Sequence, residues 1–143
     1  MCETLDDVAV AMSRNFLVVD AGARVREVLT LMRESERQRA VVTRYGQLAG
    51  LLTESDLIEW IQSPNVRDPW RCSSETLLGL SVAMVMARKP IVVSPTYPLK
   101  DAAALMVENH LDALPVVDDS GVPIGILSVG DLAMSLARCL QAA

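Results

Sequence analysis

Two short stretches decide the fold of this chain: GLLTESDL at residues 50–57 and GILSVGDL at residues 125–132. Each octapeptide has Gly, two apolar residues, Thr or Ser, two variable residues, Asp and Leu, and the copies lie 75 residues apart. Similarity at a fixed offset indicates that one structural unit occurs twice. The chain has 143 residues, which is enough for two half-size units that share a core.

The residues upstream of the octapeptides match as well. MSRNFLVVDAGARVREVLTLMRES, from Met12, aligns with MARKPIVVSPTYPLKDAAALMVEN, from Met86, at an offset of 74 residues. The second copy then gains one residue, so that AVVTRYGQLAG from Ala40 aligns with PVVDDSGVPIG from Pro115. This alignment places the extra residue of the second copy ahead of its middle strand.

Helices and strands follow from the spacing of apolar residues. In both copies apolar residues recur at i, i+3, i+4 and i+7, which is typical of a helix with one buried face. These sets are Val25, Val28, Leu29 and Met32 in the first copy, and Leu99, Ala102, Ala103 and Met106 in the second. Short apolar runs predict strands at about 17–19, 40–43 and 48–52, then 91–93, 115–117 and 124–127.

The predicted fold class is therefore α/β (α+β), with a β-α-β-β-α unit that occurs twice. We expect the first repeat at residues 7–62, a linker and entering helix at 63–80, and the second repeat at 81–138. Two prolines mark the linker, and Ser73 or Ser74 can cap the helix that follows it.

Composition excludes several classes of function. The net charge of −5 argues against a broad nucleic-acid-binding surface. No apolar run approaches the roughly 20 residues of a membrane span, and the acidic start MCETLDDVAV is unlike a signal peptide. We therefore expect a protein of the cytoplasm that binds neither membranes nor nucleic acid directly.

The cysteines and the single histidine do not predict a metal site. Cys2, Cys72 and Cys139 are far apart and form no C-x-x-C pair, so reduced thiols are expected. The chain also has no G-x-S-x-G, no P-loop and no Cys/His pair at a motif spacing. We expect no catalytic residues, no metal site and no enzymatic activity.

The octapeptides themselves permit two interpretations. Thr53 and Asp56, like Ser128 and Asp131, have the spacing of a capping box at the start of a helix, although Asp is shorter than the usual Glu. Alternatively, the helix N-terminus and the hydroxyl can bind phosphate, while the carboxylate accepts hydrogen bonds from a vicinal diol. Phosphate and diol together describe a ribonucleotide, and the two interpretations are compatible if the side chains exchange partners.

Taken together, these residues resemble a tandem pair of cystathionine-β-synthase (CBS) domains, also called a Bateman module. GLLTESDL, GILSVGDL and LDALPVVDDSGVPIGIL carry the resemblance, which covers roughly residues 7–137. It implies two β-α-β-β-α repeats about a pseudo-twofold axis, with small sheets packed together, helices outside and two clefts between the sheets. It also implies AMP, ADP, ATP or S-adenosylmethionine as the regulatory ligand, occasionally NAD or a diadenosine nucleotide, and no required cofactor.

The resemblance also implies roles for the site residues. The octapeptide Asp of the family holds the ribose hydroxyls, and the Thr or Ser contacts ribose or phosphate. By position these roles carry over to Asp56 and Thr53, and to Asp131 and Ser128.

A difference between the repeats predicts unequal sites. The first repeat has RQRAVV (37–42) where the sequence alignment gives DALPVV (112–117) in the second. Family members often carry a basic residue here that meets phosphate. We therefore expect Arg37 or Arg39 to make the first site favour the more anionic ligand. The alternative is that both are solvated charges at a helix end. In the second site we expect Asp112 at this place.

Several other residues are weaker candidates. His110 is expected to cap a helix end, Arg14, Arg88 and Lys89 to be surface charges, and Trp70 or Tyr97 to stack on a base or cover core.

The function expected from these observations is a regulatory module that relays the concentration of an adenosine-containing ligand to an effector protein or domain. The resemblance also implies a homodimer formed through the second helices, whose apolar residues are Leu57, Trp60, Ile61, Leu132, Leu136 and Leu140. The alternative is a structural module without a physiological ligand, whose dimerisation is driven by exposed apolar faces that these residues are expected to form.

Overall fold

The computed structural model describes residues 6–62 and 78–142, which form helices and small sheets in two compact units. One unit comprises residues 16–90, and the other comprises residues 91–143 together with residues 1–15. The elements in chain order are α1 Val8–Ala11, β1 Val18–Asp20, α2 Val25–Glu34, β2 Arg39–Arg44, β3 Gln47–Thr53, α3 Glu54–Gln62, α4 Val82–Val85, β4 Ala87–Arg88, α5 Leu99–Glu108, β5 Ala113–Val117, β6 Pro123–Ser128 and α6 Val129–Ala142. The mixed α/β class is confirmed. The strand-helix-strand-strand-helix order is present in the first repeat, and in the second its first strand is reduced to a bridge at Val93.

The unit of residues 16–90 contains a four-stranded sheet in the order β1-β2-β3-β4, with β1 parallel to β2 and the other pairs antiparallel. Helix α2 packs on this sheet because its apolar stripe faces inward and Val25, Val28 and Met32 are buried. The core also takes Val82 and Val85 from the short helix α4. Residues that follow the linker therefore complete the core of the first repeat.

The second unit has the same plan with shorter strands. β5 and β6 pair antiparallel, Val93 bridges β5 in parallel, and Ser13 bridges β6 in antiparallel fashion. Val8 and Met12, at the beginning of the chain, are buried in its core beside Leu99, Ala102, Met106, Leu114 and Leu127. Each compact unit thus includes a short helix that precedes the other repeat in the sequence, an exchange that the sequence alignment did not reveal.

The position of the extra residue in the second repeat differs from the sequence alignment. Ala40 pairs with Leu52 in one hairpin and Leu114 pairs with Leu127 in the other, so β2 and β5 keep the offset of 74. β3 and β6 keep the offset of 75, and the additional residue therefore lies in the turn between the strands. The alignment of Ala40 with Pro115 is therefore wrong. It matched the two Val-Val pairs by residue identity rather than by the pattern of buried residues.

The turn between β2 and β3 and the turn between β5 and β6 differ because the second contains the additional residue. Tyr45 and Gly46 have φ of 55° and 80°, as a two-residue hairpin turn requires. In the longer turn, Asp118 Oδ1 accepts hydrogen bonds from the N–H groups of Ser120 (2.9 Å) and Val122 (3.0 Å).

Three further expectations meet the structure with mixed results. The strand predicted at 91–93 is only a bridge at Val93, and the sequence did not predict β4. The helix expected after the linker is present as a helical turn at 78–79 and as α4. The prediction of reduced thiols is wrong for Cys139, which forms a disulfide bond, because spatial proximity and not sequence spacing decides cysteine pairing. Cys2, Cys72, Trp70, Ser73 and Ser74 lie outside the described residues.

Candidate functional site

Each octapeptide forms the passage from a strand to a helix, β3 to α3 in one unit and β6 to α6 in the other. Thr53 Oγ1 accepts a hydrogen bond from the Asp56 N–H (3.1 Å), and Asp56 Oδ2 accepts one from the Thr53 N–H (3.1 Å). Ser128 and Asp131 repeat this pair of bonds at 3.1 and 2.9 Å. The structure therefore shows a reciprocal capping box in both repeats, with Asp in place of the usual Glu.

The caps leave part of each side chain available. Within residues 6–62 and 78–142, neither Asp56 Oδ1 nor Asp131 Oδ1 accepts a hydrogen bond, and the hydroxyl hydrogens of Thr53 and Ser128 have no acceptor. All four residues are partly exposed. Each site can therefore offer a carboxylate acceptor and a hydroxyl donor side by side, held in place by the cap.

The cross-strand neighbour of the octapeptide hydroxyl differs between the repeats. Arg39 pairs with Thr53, whereas Ala113 pairs with Ser128. Directly opposed residues of an antiparallel pair lie on the same face, so Arg39 lies on the Thr53 face of its sheet. Val41 and Leu51 share this face, while Ala40 and Leu52 belong to the opposite face and to the core.

The structure corrects the predicted comparison of Arg37 with Asp112. The backbone N–H of Arg37 donates to Met32 O at 2.8 Å, and that of Leu111 donates to Met106 O at the same distance, so Arg37 corresponds to Leu111. Asp112 corresponds to Gln38, because their carbonyls accept from the first N–H groups of α6 and α3, respectively. Arg39 is thus brought beside the octapeptide, and Arg37 lies in the connection that precedes β2.

The glycine that opens each octapeptide is a feature that sequence reasoning missed. A Cβ on Gly50 would lie 2.7 Å from Ala87 O, and one on Gly125 would lie 2.6 Å from Met12 Sδ and 3.1 Å from Ser13 O. Glycine is required because a neighbouring segment crosses the strand at this point. The signal was present in the sequence, since Met12 and Met86 match as the two glycines do.

Among the weaker candidates of the described ranges, Arg88 pairs with Gly50 of the first octapeptide, whereas no contact brings His110, Arg14, Lys89 or Tyr97 to either octapeptide. His110 has a φ of 54° and closes α5 through its backbone rather than its ring. Arg14, Arg88 and Lys89 are exposed. Tyr97 packs partly buried against the core of its unit.

The apolar residues of the second helices divide into two groups. Leu57 is buried, and Trp60 and Leu132 pack partly buried against their own cores, so the expectation of an exposed apolar face is wrong for these three. Their helices begin against the sheet, and the first turns therefore face inward. Leu136 and Leu140, further along α6, are 56% and 66% exposed. The Ile61 side chain lies outside the described part of the chain.

Neither a metal centre nor a membrane span is found in the described ranges. Residues 6–62 and 78–142 contain no group of three or more His, Cys, Asp or Glu side chains that could hold a metal ion. None of their helices combines the length and the apolar character needed to cross a bilayer.

Known proteins share this architecture. An uncharacterized protein of Methanocaldococcus jannaschii, MJ1426, is 34% identical over 77% of this chain and 79% of its own length. The crystal structure of CBSX2 in complex with AMP has a TM-score of 0.78 at 27% identity and covers 93% of this chain and 97% of that chain. The cytosolic domain of the Mg2+ channel MgtE in complex with ATP has a TM-score of 0.71 at 27% identity, covering 90% of this chain and 48% of that one.

The family model of the CBS domain matches residues 5–63 and 82–138. The two matched segments each contain one octapeptide with its strand-to-helix cap, and together they cover most of the chain. This protein therefore belongs to the CBS domain family and carries two copies of the domain.

Proposed function

We propose that this protein is a regulatory module that binds an adenosine-containing ligand at the octapeptides and relays its concentration to an effector protein or domain. The carrying observation is the pair of unused groups at each cap: one carboxylate oxygen and one hydroxyl hydrogen. A ribose diol can donate to the oxygen of Asp56 or Asp131 while the cap remains intact. The AMP and ATP complexes of CBSX2 and the MgtE cytosolic domain support this class of ligand.

We further propose that the two sites prefer different ligands. Arg39, on the Thr53 face, adds a positive charge to the first site, whereas Ala113 adds none to the second. Charge-assisted hydrogen bonds from a guanidinium to phosphate are among the stronger polar contacts in proteins. The first site is therefore expected to favour ATP or ADP, and the second a less anionic ligand such as AMP or S-adenosylmethionine.

Calorimetric titration of ligand-stripped protein with AMP, ATP, S-adenosylmethionine and NAD tests this function. Asp56→Asn and Asp131→Asn are the informative variants, because asparagine keeps an oxygen for the cap but replaces the second acceptor by an NH2 donor. Each is expected to weaken ligand binding at its own site by about tenfold or more. Binding that is unchanged in the folded double variant, or no binding to the wild-type protein, would contradict the proposal.

Arginine variants test the difference between the sites. Arg39→Ala is expected to weaken ATP binding by about tenfold, since it removes a charged phosphate donor. Arg37→Ala should have a smaller effect, and Arg26→Ala, on the exposed surface of α2, serves as a control with the same change of charge. If all three variants bind ATP with the affinity of the wild type, the proposed role of Arg39 is contradicted.

We also propose a non-catalytic homodimer formed through α6. Leu136 and Leu140 expose apolar surface that a second copy can bury. Sedimentation analysis should show a dimer for the wild type and a monomer for Leu136→Lys/Leu140→Lys, whereas Arg138→Ala, an exposed position of the same helix, should stay dimeric. A dimer that binds none of the four ligands would favour the alternative, a structural module without a ligand.

A further inference from the structure

The side chain of Met86 fills a gap in the core face of β3. Gly50 pairs with Val42, and directly opposed residues lie on the same face, so the side chain that Gly50 lacks would point into the core of the 16–90 unit. A Cβ on Gly50 would overlap Met86 Sδ and would lie 2.8 Å from Met86 Cγ. The thioether therefore occupies the space of a missing side chain within the first octapeptide.

The second octapeptide has the same arrangement in its own unit. Gly125 pairs with Val116, a core residue, and a Cβ on Gly125 would lie 2.6 Å from Met12 Sδ. The two thioethers differ in their contact with solvent, because Met12 is 7% exposed whereas Met86 is only partly buried against its core. A small dissolved reagent therefore reaches the sulfur of Met86 more readily than that of Met12.

Packing of Met86 supports the edge strand that follows it. β4 begins at the next residue and makes only two pairs with β3, Ala87 with Leu51 and Arg88 with Gly50. So short a strand has little pairing of its own, and the thioether packed beside Gly50 adds apolar contact to it. If the thioether leaves, Gly50 has no side chain with which to close the gap. The place of β4 beside the octapeptide therefore depends on an apolar group at residue 86.

We propose that Met86 is a modification site, at which oxidation by a hydroperoxide loosens β4 and the first octapeptide. The sulfur lone pair attacks the terminal oxygen of the peroxide, so that an S–O bond forms and the O–O bond breaks. The hydrogen of the transferred oxygen passes to the leaving oxygen, which departs as water or as an alcohol. The sulfur loses an electron pair and the peroxide gains it, and the product is methionine sulfoxide.

The sulfoxide does not suit the place of the thioether. Its oxygen is a polar acceptor, and among the described residues of the chain none of the buried side chains is polar or charged. An acceptor that is buried without a donor is unfavourable, so the sulfoxide turns towards water and leaves the gap at Gly50 open. Enzymatic reduction of the sulfoxide restores the thioether, which makes the modification reversible.

Met84 offers a matched control within the same unit. It precedes Met86 in α4 and is 54% exposed, so its sulfoxide remains in water and leaves the core unchanged. Peroxide should oxidise Met84 at least as fast as Met86, but only the oxidation of Met86 should change the pairing of β4. As a control of ligand affinity the site rests on the proposed function, whereas the loosening of β4 does not.

Peptide mass spectrometry and amide hydrogen exchange, before and after hydrogen peroxide and without any nucleotide, test the modification. In the wild type and in Met84→Leu, Met86 should gain an oxygen atom, and exchange of the β4 amides should accelerate about tenfold relative to the amides between β1 and β2. Met86→Leu keeps an apolar side chain of similar volume that peroxide does not oxidise, so its exchange should match the untreated wild type throughout. Methionine sulfoxide reductases should restore slow exchange in the treated wild type.

Three results would overturn the proposal. In the first, Met86 stays reduced under conditions that oxidise Met84. In the second, peroxide accelerates the β4 amides of Met86→Leu as much as those of the wild type. In the third, fast exchange persists after the sulfoxide has been reduced.

Titration with ATP in the Asp131→Asn background, where the second site is weakened, tests the regulatory part. Peroxide treatment should lower ATP affinity several-fold in this background, and it should leave the affinity unchanged when Met86→Leu is added. Equal affinities before and after treatment overturn the regulatory part. A reduced wild-type protein that binds neither AMP nor ATP refutes the proposed function and the regulatory role together, but the exchange result still decides whether oxidation of Met86 loosens β4.

Discussion

At the scale of single residues, the side chains that cap each helix also retain groups that could serve the proposed ligand. Thr53 and Asp56 satisfy each other's backbone N–H groups and still retain one donor and one acceptor. A cap that fixes a side chain also reduces the conformational entropy that a ligand must otherwise remove. Capping therefore does not exclude the proposed ligand binding, and the side chains need not exchange partners to take part in both.

The caps predict a specific pattern of stability. Thr53→Ala and Ser128→Ala should each lower the free energy of unfolding by about 1 kcal/mol, because each leaves one N–H of the first helical turn without its acceptor. Thr30→Ala is the control, since its hydroxyl only donates to Arg26 O within an exposed stretch of α2. Urea unfolding followed by circular dichroism measures all three, and a loss for Thr30→Ala as large as for Thr53→Ala would contradict the assignment.

At the scale of elements, the apolar spacing was sufficient for the amphipathic helices α2 and α5 and for five of the six predicted strands, but not for the strand pairing. Amphipathic spacing identified α2 and α5 because a buried face leaves a periodic trace in the sequence. The register of β5 could not be obtained in this way, because its residues Ala113–Pro115 and Val116 are all buried and show no alternation. Arg37 and Arg39 were both candidates in the sequence, and only the strand pairing distinguishes them, because it brings Arg39 opposite Thr53.

Close packing of β6 against the segment at Met12 predicts opposite effects for two neighbouring glycines. Gly125→Ala should destabilise the protein by about 1–3 kcal/mol, because the new methyl group would overlap Met12 and the Ser13 carbonyl. Gly130→Ala, in the first turn of α6, meets only Ser128 Oγ at 3.5 Å and should be neutral or stabilising by up to about 1 kcal/mol. Thermal unfolding should show a lower Tm than the wild type for Gly125→Ala, and an equal or higher Tm for Gly130→Ala.

At the scale of the whole molecule, the sequence repeat and the compact unit are different divisions of the chain. The repeat at 7–62 contains Val8 and Met12, whose buried partners lie in the second unit, and lacks Val82 and Val85. The unit at 16–90 contains a complete core. The predicted boundaries therefore describe the duplication of the sequence rather than the pieces that pack together.

Isolated fragments should reveal this difference. A fragment of residues 16–90 is expected to unfold cooperatively in urea, because it retains every member of its core. A fragment of residues 7–62 should show no cooperative transition, since two apolar residues lose their partners and the sheet loses β4. Cooperative unfolding of the shorter fragment alone would show that the exchange of segments is not needed for stability.

The exchange of segments also sets the order in which the chain can fold as it is synthesised. Val8 and Met12 are synthesised before residues 16–90, but their core partners extend to Leu127. The described core residues of 16–90 have their partners once α4 and β4 have emerged, so this unit can fold before the segment at 8–12 is packed. That segment is thus made before residues 16–90 but packed after them, and until Leu127 has emerged it is an exposed apolar segment that a chaperone can bind.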